Sequence, residues 1–441
     1  MALRNISFAI AAVFSSWSGL AHAEVLDAVG AKAAVDTILN RNYPELFALY
    51  ADIHAHPELG FRETRTASLL AARMRMLGFT VTEHVGVTGV VAVLRNGPGP
   101  TVLVRTELDA LPIEEKTGLP YASTVRTTYD GQPSFVAHMC GHDIHMAVWV
   151  GTAQALTALK DKWHGTLLFI AQPAEEIVGG AAAMLKDGLF ERFPRPDYGL
   201  ALHTGPFAYG HVLYRAGILS SNVDQVEITF NGRGGHGSRP DEAIDPVLIA
   251  ARFVVDVQAV ISREKNPAAP GVVSIGAIHG GTAGNIIPDA VTVRGTIRNY
   301  DQDVRAKLIA GVERVALSEA AMAGAANPHI RIYGGTGSIV NDPDLTARTA
   351  NVFGRVFGSA AEQKPDLISA SDDYSEFVQA GMPHSLFFEI GIYDPQKVEA
   401  AKVSGVPLPF NHSPNYAPVP EPTIRTGVEA MSLALLNILG N

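Results

Sequence analysis

TLLFIAQPAEE occupies positions 166–176 and decides how the rest of the chain is read. Residues 166–171 form an almost unbroken apolar run of strand length, as a strand covered on both faces requires. Two adjacent carboxylates, Glu175 and Glu176, then arrive just past it, ahead of Gly179-Gly180. A Glu-Glu pair is ordinarily solvated surface. One that directly follows a buried strand sits instead at the strand's carboxyl end, where α/β sheets place their ligands.

Working outward, short strands are expected at 79–83, 87–95 and 101–106, separated by Gly/Pro turns such as Gly97-Pro98-Gly99-Pro100. Helical patterns cover 26–50, 62–77 and 145–160, with a shorter one near 179–187 and a strand at 198–202. Strands alternating with helices indicate a layered α/β domain. After Ser221 the pattern changes. A strand at 223–230, a helix at 243–262, strands at 272–279 and 290–299, a helix at 301–323 and a strand at 329–333 make a βαββαβ order. That is a self-contained ferredoxin-like unit. The chain is therefore divided into a catalytic domain in two parts, 24–221 and 336–441, and an inserted domain, 222–335. Helices at 343–357, near 373–380 and at 421–438, with a strand at 385–389, complete the first domain, and the proline-rich 392–420 reads as a long loop.

Arg4, the apolar run 6–14 and the small-residue tripeptide Ala21-His22-Ala23 have the layout of a secretory signal peptide. Cleavage after Ala23 and an exported, periplasmic or secreted protein are expected. The 441 residues are 47% hydrophobic, enough for a large core and two domains, and carry a formal charge of -10 without any Lys/Arg block. Nucleic acid and anionic membranes are thereby disfavoured as partners. The chain has one cysteine, Cys140, which cannot form an internal disulfide. In an oxidising compartment its thiolate is either buried or occupied, and a metal ion is the natural occupant.

The polar residues that follow each expected strand are Glu107 and Asp109, then Cys140 and His142, Glu175 and Glu176, His203, and finally His412 in the late loop. Each alone has a bland reading as a hydrogen-bonded core or surface group. Together, one thiolate, several imidazoles and carboxylates suit Zn²⁺, Mn²⁺ or Co²⁺. The set exceeds a four-ligand site and matches two ions about 3.5–4 Å apart. In such a site one of two neighbouring glutamates binds metal while the other takes a proton.

These stretches resemble the metal-dependent amidohydrolases that include hippurate hydrolase, the auxin–amino-acid conjugate hydrolases and bacterial N-acyl-amino-acid amidohydrolases, within the aminoacylase/carboxypeptidase superfamily. The resemblance runs from about His54 to the C-terminus, through IHAHPELGFRE (53–63), RTELDALPIEE (105–115), HMCGHDIH (138–145), QPAEE (172–176), ALHTGP (201–206), GGHGSRP (234–240), GGTAGNIIPDA (280–290), SASDDYSEF (369–377) and NHSP (411–414). It implies a metallopeptidase-type α/β catalytic domain with the insert as lid or dimerisation domain, and a homodimer or higher homo-oligomer. It implies metal ligands at Cys140, His142, Glu176, His203 and His412, Glu175 as general base, and Asp109 as a carboxylate orienting a ligand. His236 and Asn285 are implied in substrate or oxyanion binding, often from the partner subunit. It also implies a cis peptide at His142–Asp143. Glu107, where many relatives have Asp, and Asp372-Asp373-Tyr374, where Glu-Asp-Phe is usual, depart from the pattern and point to altered geometry. His54 and His56 are expected to be structural, and His138 and His145 to flank the site. The expected reaction is hydrolysis of N-acyl or N-aroyl amino acids. A carboxypeptidase or dipeptidase of the same superfamily and a non-catalytic binding protein are the alternatives. Gly232–Gly237 formally fits a dinucleotide-binding G-x-G-x-x-G but is followed by Pro240 and lies outside a first βαβ unit.

Overall fold

The computed structural model describes residues 26–364 and 366–440. The expected signal peptide and its cleavage site lie outside them. No helix among the described residues is long and apolar enough to cross a membrane.

Eight strands build the main sheet: β1 (Thr80–Val85), β2 (Gly89–Asn96), β3 (Thr101–Glu107), β4 (Gly165–Gln172), β5 (Tyr198–Ala208), β6 (Val212–Tyr214) and two late strands, Ala361–Gln363 and His384–Tyr393. The centre of the sheet is parallel: β4 pairs β3, β3 pairs β5, and β5 pairs His384–Tyr393. β1 and β2 add antiparallel strands at one edge, and β6 with Ala361–Gln363 closes the other. β3 and β4 are buried over nearly their whole length, as their apolar runs require. Their register sets Glu107 opposite Gln172, and that of the last strand sets Glu389 opposite His203, so the polar ends gather at one edge.

One face of the sheet is covered by α1 (Ala28–Ala55), α2 (Thr64–Met76), α3 (His142–Ala158) and the closing helix Pro420–Leu439. α3 is buried on almost every side, which explains its lack of a polar face. Trp149 Nε1 donates to the carbonyl of Val104 at 3.2 Å and ties α3 to the central strand. α3 and the closing helix approach closely through glycines: a Cβ on Gly151 would stand 2.6 Å from Val428, and one on Gly427 would stand 2.6 Å from Val148. The opposite face packs Met184, Leu189, Tyr374, Phe377 and Phe387.

A second, four-stranded antiparallel sheet follows Ser221. It comprises β7 (Asn222–Asn231), β8 (Gly271–His279), β9 (Ala290–Asn299) and β10 (His329–Thr336), in the order β8-β9-β7-β10. Helices α4 (Pro246–Asp256) and α5 (Gln302–Met322) pack on it around Phe230, Phe253 and Leu308. This is the βαββαβ order read from the sequence. The expected helix 243–262 is shorter: Asp245 caps it, Pro246 opens it, and a π-turn stretch, Val260–Glu264, follows separately.

Two expectations are corrected, and a rival reading already disfavoured falls away. The stretch 392–420 is not all loop, because α6 (Pro395–Ser404) lies within it. Its ends carry ordinary signals: Asp394 caps Gln396 N, Pro395 is the first helical residue, and Gly405 closes it at a left-handed φ of 71°. The peptide between His142 and Asp143 is trans, as are all described peptides, while the expected ligands still converge. No helix opens at Gly237, where Gly235–His236 instead forms a short ribbon with Ile286–Ile287. The dinucleotide reading therefore has no structural basis.

Candidate metal centre

The functional side chains reach the site from the turn after β4, from the entry and first turn of α3, from within β5 and from the late loop. Gly141, at φ 90°, makes the turn that puts Cys140 just before α3 and His142 on its first turn. Any Cβ at Gly141 would stand 2.4 Å from Thr204 Oγ1. The turn after β4 holds two non-glycine residues in the left-handed region, Ala174 at φ 49° and Val178 at φ 52°, and carries Glu175 and Glu176 between them. His203 lies within β5. His412, at φ 70°, is anchored by its backbone N–H, which donates to Met139 O at 2.7 Å. Asn411 Nδ2 donates to Cys140 O at 3.0 Å, so the late loop is stitched to the cysteine.

Ligating atoms of Cys140, His142 and Glu176 all lie within 4.8 Å of one another, as do those of Glu107, His142, His145 and His203. Cys140 Sγ is 3.4 Å from His203 Nε2, and His412 Nε2 is 3.3 Å from Glu176 Oε2. The tautomers are set from behind. His142 Nδ1 donates to Asp109 O at 2.8 Å and His203 Nδ1 donates to Thr204 O at 2.8 Å, which turns both Nε2 atoms towards the centre. His142 Nε2 and Glu176 Oε1 stand 3.9 Å apart, both buried and without a hydrogen-bond partner. Buried polar atoms are rarely left unpaired, and a divalent cation between these two would satisfy both. The donor set of thiol, imidazoles and carboxylate fits that ion.

His145 is not free to ligate. Its Nδ1 donates to Glu107 Oε2 at 3.0 Å and its Nε2 accepts from Thr204 N at 2.9 Å. His54 ties Asp143 to Glu115, at 2.6 and 3.0 Å, and His56 is exposed. His138 is buried beside the site. Asp109 works on two neighbours: its Oδ2 accepts from Glu176 N at 3.0 Å and its Oδ1 lies 3.6 Å from His142 Nδ1.

Glu175, through Oε2, also stands 3.9 Å from His142 Nε2, but its other neighbours differ from those of Glu176. It clusters with Asp372 and Asp373, with which its oxygens lie within 4.8 Å. Burial, then the charges of Asp372, Glu176 and Asp373, hold its carboxyl well above the usual range. Burial likewise pushes the Cys140 thiol up, with Glu176 adding to it. Burial opposes the charged form of His142, but hydrogen bonding to Asp109 and the charge of Glu107 outweigh it and raise the imidazole to about 10. Burial, with His145 alongside, holds His203 well below its usual value.

Sequence reasoning missed the group that organises this acidic cluster. Arg105, buried in mid-strand, makes a two-pronged contact with Asp372 at 2.8 and 3.0 Å, bonds Gln172 Oε1 at 3.0 Å and pairs with Glu107. The departures at Glu107 and Asp372 thus meet on one guanidinium. Both lie inside long motifs, but nothing in their spacing reveals the shared partner.

A cavity of about 410 Å³ opens over the site, bounded by Cys140, Glu175, His203 and His412 from one side and by Val223, Gln225 and Arg298 of the smaller sheet from the other. His236 and Asn285 do not line it. They are exposed and adjacent to each other on the ribbon, where Gly237 N donates to Asn285 O at 2.8 Å.

Residues 103–404 match the model of the peptidase family M20/M25/M40. The chain is 41% identical over 255 residues to the hippurate hydrolase of Campylobacter jejuni, spanning 57% of this chain and 64% of that protein. It is 35% identical over 341 residues to thermostable carboxypeptidase 1 of Saccharolobus solfataricus, covering 76% and 83%. It is 30% identical over 341 residues to the N-acetyl-L-cysteine deacetylase of Bacillus subtilis, covering 76% and 78%. Among solved structures, the Bacillus subtilis YXEP protein, described as a dinuclear metal binding peptidase from the M20 family, superposes with a TM-score of 0.71 at 25% identity, over 92% of this chain and all of that one. The Bacillus deacetylase and its kind lend no support to export, and with residues 1–23 outside the described chain the expectation of an exported protein is withdrawn. The chain belongs to the peptidase family M20/M25/M40 and is a hydrolase of amide bonds.

Proposed function

We propose that this hydrolase cleaves N-acyl or N-aroyl amino acids to a carboxylate and a free amino acid. Two divalent ions, zinc, manganese or cobalt, are held by Cys140, His142, Glu176, His203 and His412. The observation that carries the reading is the division between adjacent glutamates. Both line the cavity and both stand 3.9 Å from His142 Nε2, but Glu176 groups with Cys140 and His142 and lies 3.3 Å from His412, whereas Glu175 clusters with Asp372 and Asp373. The hippurate hydrolase relative supports the substrate class.

Ions bound there would polarise the scissile carbonyl and acidify the attacking water. Glu175 takes a proton from that water and delivers it to the leaving amine nitrogen. Asp109 holds His142 and the Glu176 backbone in place. Arg298 lines the cavity, donates to Ser369 O at 3.1 Å and suits the substrate's carboxylate. Residues 222–335 act as the insert that closes the cavity and joins two copies, and His236 and Asn285 serve the partner's site, where His236 supports the oxyanion.

Hydrolysis of N-benzoylglycine, measured against a dipeptide panel, tests this. The expected result is preference for N-benzoylglycine, loss of activity with chelator and recovery on adding Zn²⁺, Mn²⁺ or Co²⁺. Activity confined to the peptides, or full activity in a metal-free preparation, contradicts it.

A further inference from the structure

The HPELGFRE motif supplies no group to the cavity, yet it wraps the loop that carries Glu175. Glu63 is the N-cap residue of α2 but its side chain does not cap that helix. Glu58 does so instead, accepting from Arg65 N at 3.1 Å and Thr66 N at 2.8 Å. The Glu63 carboxylate is fully buried and turned the other way: Oε1 accepts from Ala174 N at 2.8 Å and Oε2 from Thr88 Oγ1 at 2.5 Å. No cation pairs with it among the described residues. Keeping this carboxyl from water is costly, since burial, with Asp109 nearby, pushes it up to about 7.

What that cost secures is the backbone at Ala174, left-handed at φ 49° and adjacent to Glu175. The same motif closes on it from a second side. A Cβ on Gly60 would meet Ala174 Cα and Cβ at 3.1 Å, and the Phe61 ring lies where a Cβ on Gly179 would touch it at 3.5 Å. Two further carboxylates clamp the loop farther along, Asp109 on Glu176 N and Asp373 on Ala181 N, each at 3.0 Å.

We propose that Glu63 is a positioning residue for Glu175: its carboxylate holds Ala174 N and thereby aims the adjacent side chain at the attacking water. The proposal rests on the reading of Glu175 as general base. A residue needed only for folding would not separate kcat from KM, whereas misaiming a base does so without altering the binding of substrate or metal.

The test measures kcat, KM for N-benzoylglycine and metal content in Glu63→Leu, Glu63→Gln, Gly60→Ala and Glu175→Gln. Glu63→Leu is expected to lower kcat by about 10–100-fold, the scale of a small misplacement of a reacting group, with KM and metal content held. Glu63→Gln keeps an acceptor for Ala174 N and should recover most of that loss. Gly60→Ala, pressing on the same residue, should lower kcat in the same sense, and it decides the matter should Glu63→Leu fail to fold. Unchanged kcat in Glu63→Leu or Gly60→Ala, a loss confined to KM or metal content, or a Gln variant as slow as the Leu variant would overturn the proposal. Full activity in Glu175→Gln would instead remove the general-base reading. Loss in Glu175→Gln alone would remove only the role of Glu63.

Discussion

At the scale of single residues, Cys140 illustrates how an environment is built for an ion. Burial alone would keep the thiol protonated and inert, and it is the imidazole of His203 at 3.4 Å that marks it as part of a donor set. With an ion bound, the sulfur is deprotonated but occupied. Cys140→Ala should therefore lower the metal content of the purified protein, read by elemental analysis, while the circular dichroism spectrum stays that of a folded chain. Unchanged metal content in a folded variant would count against Cys140 as a ligand. The residues gathered here were legible because they stand near expected strand ends or a helix start and carry side chains that chemistry at an α/β edge uses. Arg105 was not, because its position inside a buried strand looks like an interruption of an apolar run. His236 and Asn285 were legible as a motif, and only the resemblance, not the residues themselves, suggested that they serve a partner subunit.

At the scale of elements, the site depends on how α1 and α3 are joined. His54, in the last turn of α1, bridges Asp143 in the first turn of α3 and Glu115 of the intervening loop. Burial opposes its charge, but hydrogen bonding to Asp143 and Glu115 prevails and raises it from 6.5 to about 10. A raised imidazole stabilises the fold fully below its unfolded value, and the contribution fades as pH rises through the folded value. The difference in unfolding free energy between the protein and His54→Leu should therefore be largest near pH 6 and shrink towards pH 10. A difference that grows with pH in urea titrations would contradict a charged His54. Periodicity made the long elements readable, because α3 and the closing helix follow from apolar patterning alone. The short α6 was hidden for a physical reason: it buries no residue, so no hydrophobic stripe announces it, and only its Asp-Pro start and Gly405 stop remained. The trans peptide at His142 has no counterpart in sequence patterning at all; resemblance alone had suggested otherwise.

At the scale of the whole molecule, two sheets share one cavity, and the separate ribbon of Gly235–His236 and Ile286–Ile287 holds His236 and Asn285 outside its lining. If those residues serve a second copy's site, then Glu175→Gln and His236→Ala, each impaired alone, should regain activity when co-refolded. Every mixed dimer would contain one site with both an intact base and an intact histidine. Mixtures no more active than the average of their components would deny His236 a role in the partner's site. The central claim is that two neighbouring glutamates have different tasks, and metal content measured beside turnover in Glu175→Gln and Glu176→Gln tests it most directly. Glu175→Gln should keep both ions and lose about 10²–10⁴-fold or more in rate, the range for removing a general base, while Glu176→Gln should lose metal itself. Metal lost from Glu175→Gln and kept by Glu176→Gln would reverse the pair, and full activity in both would contradict the account.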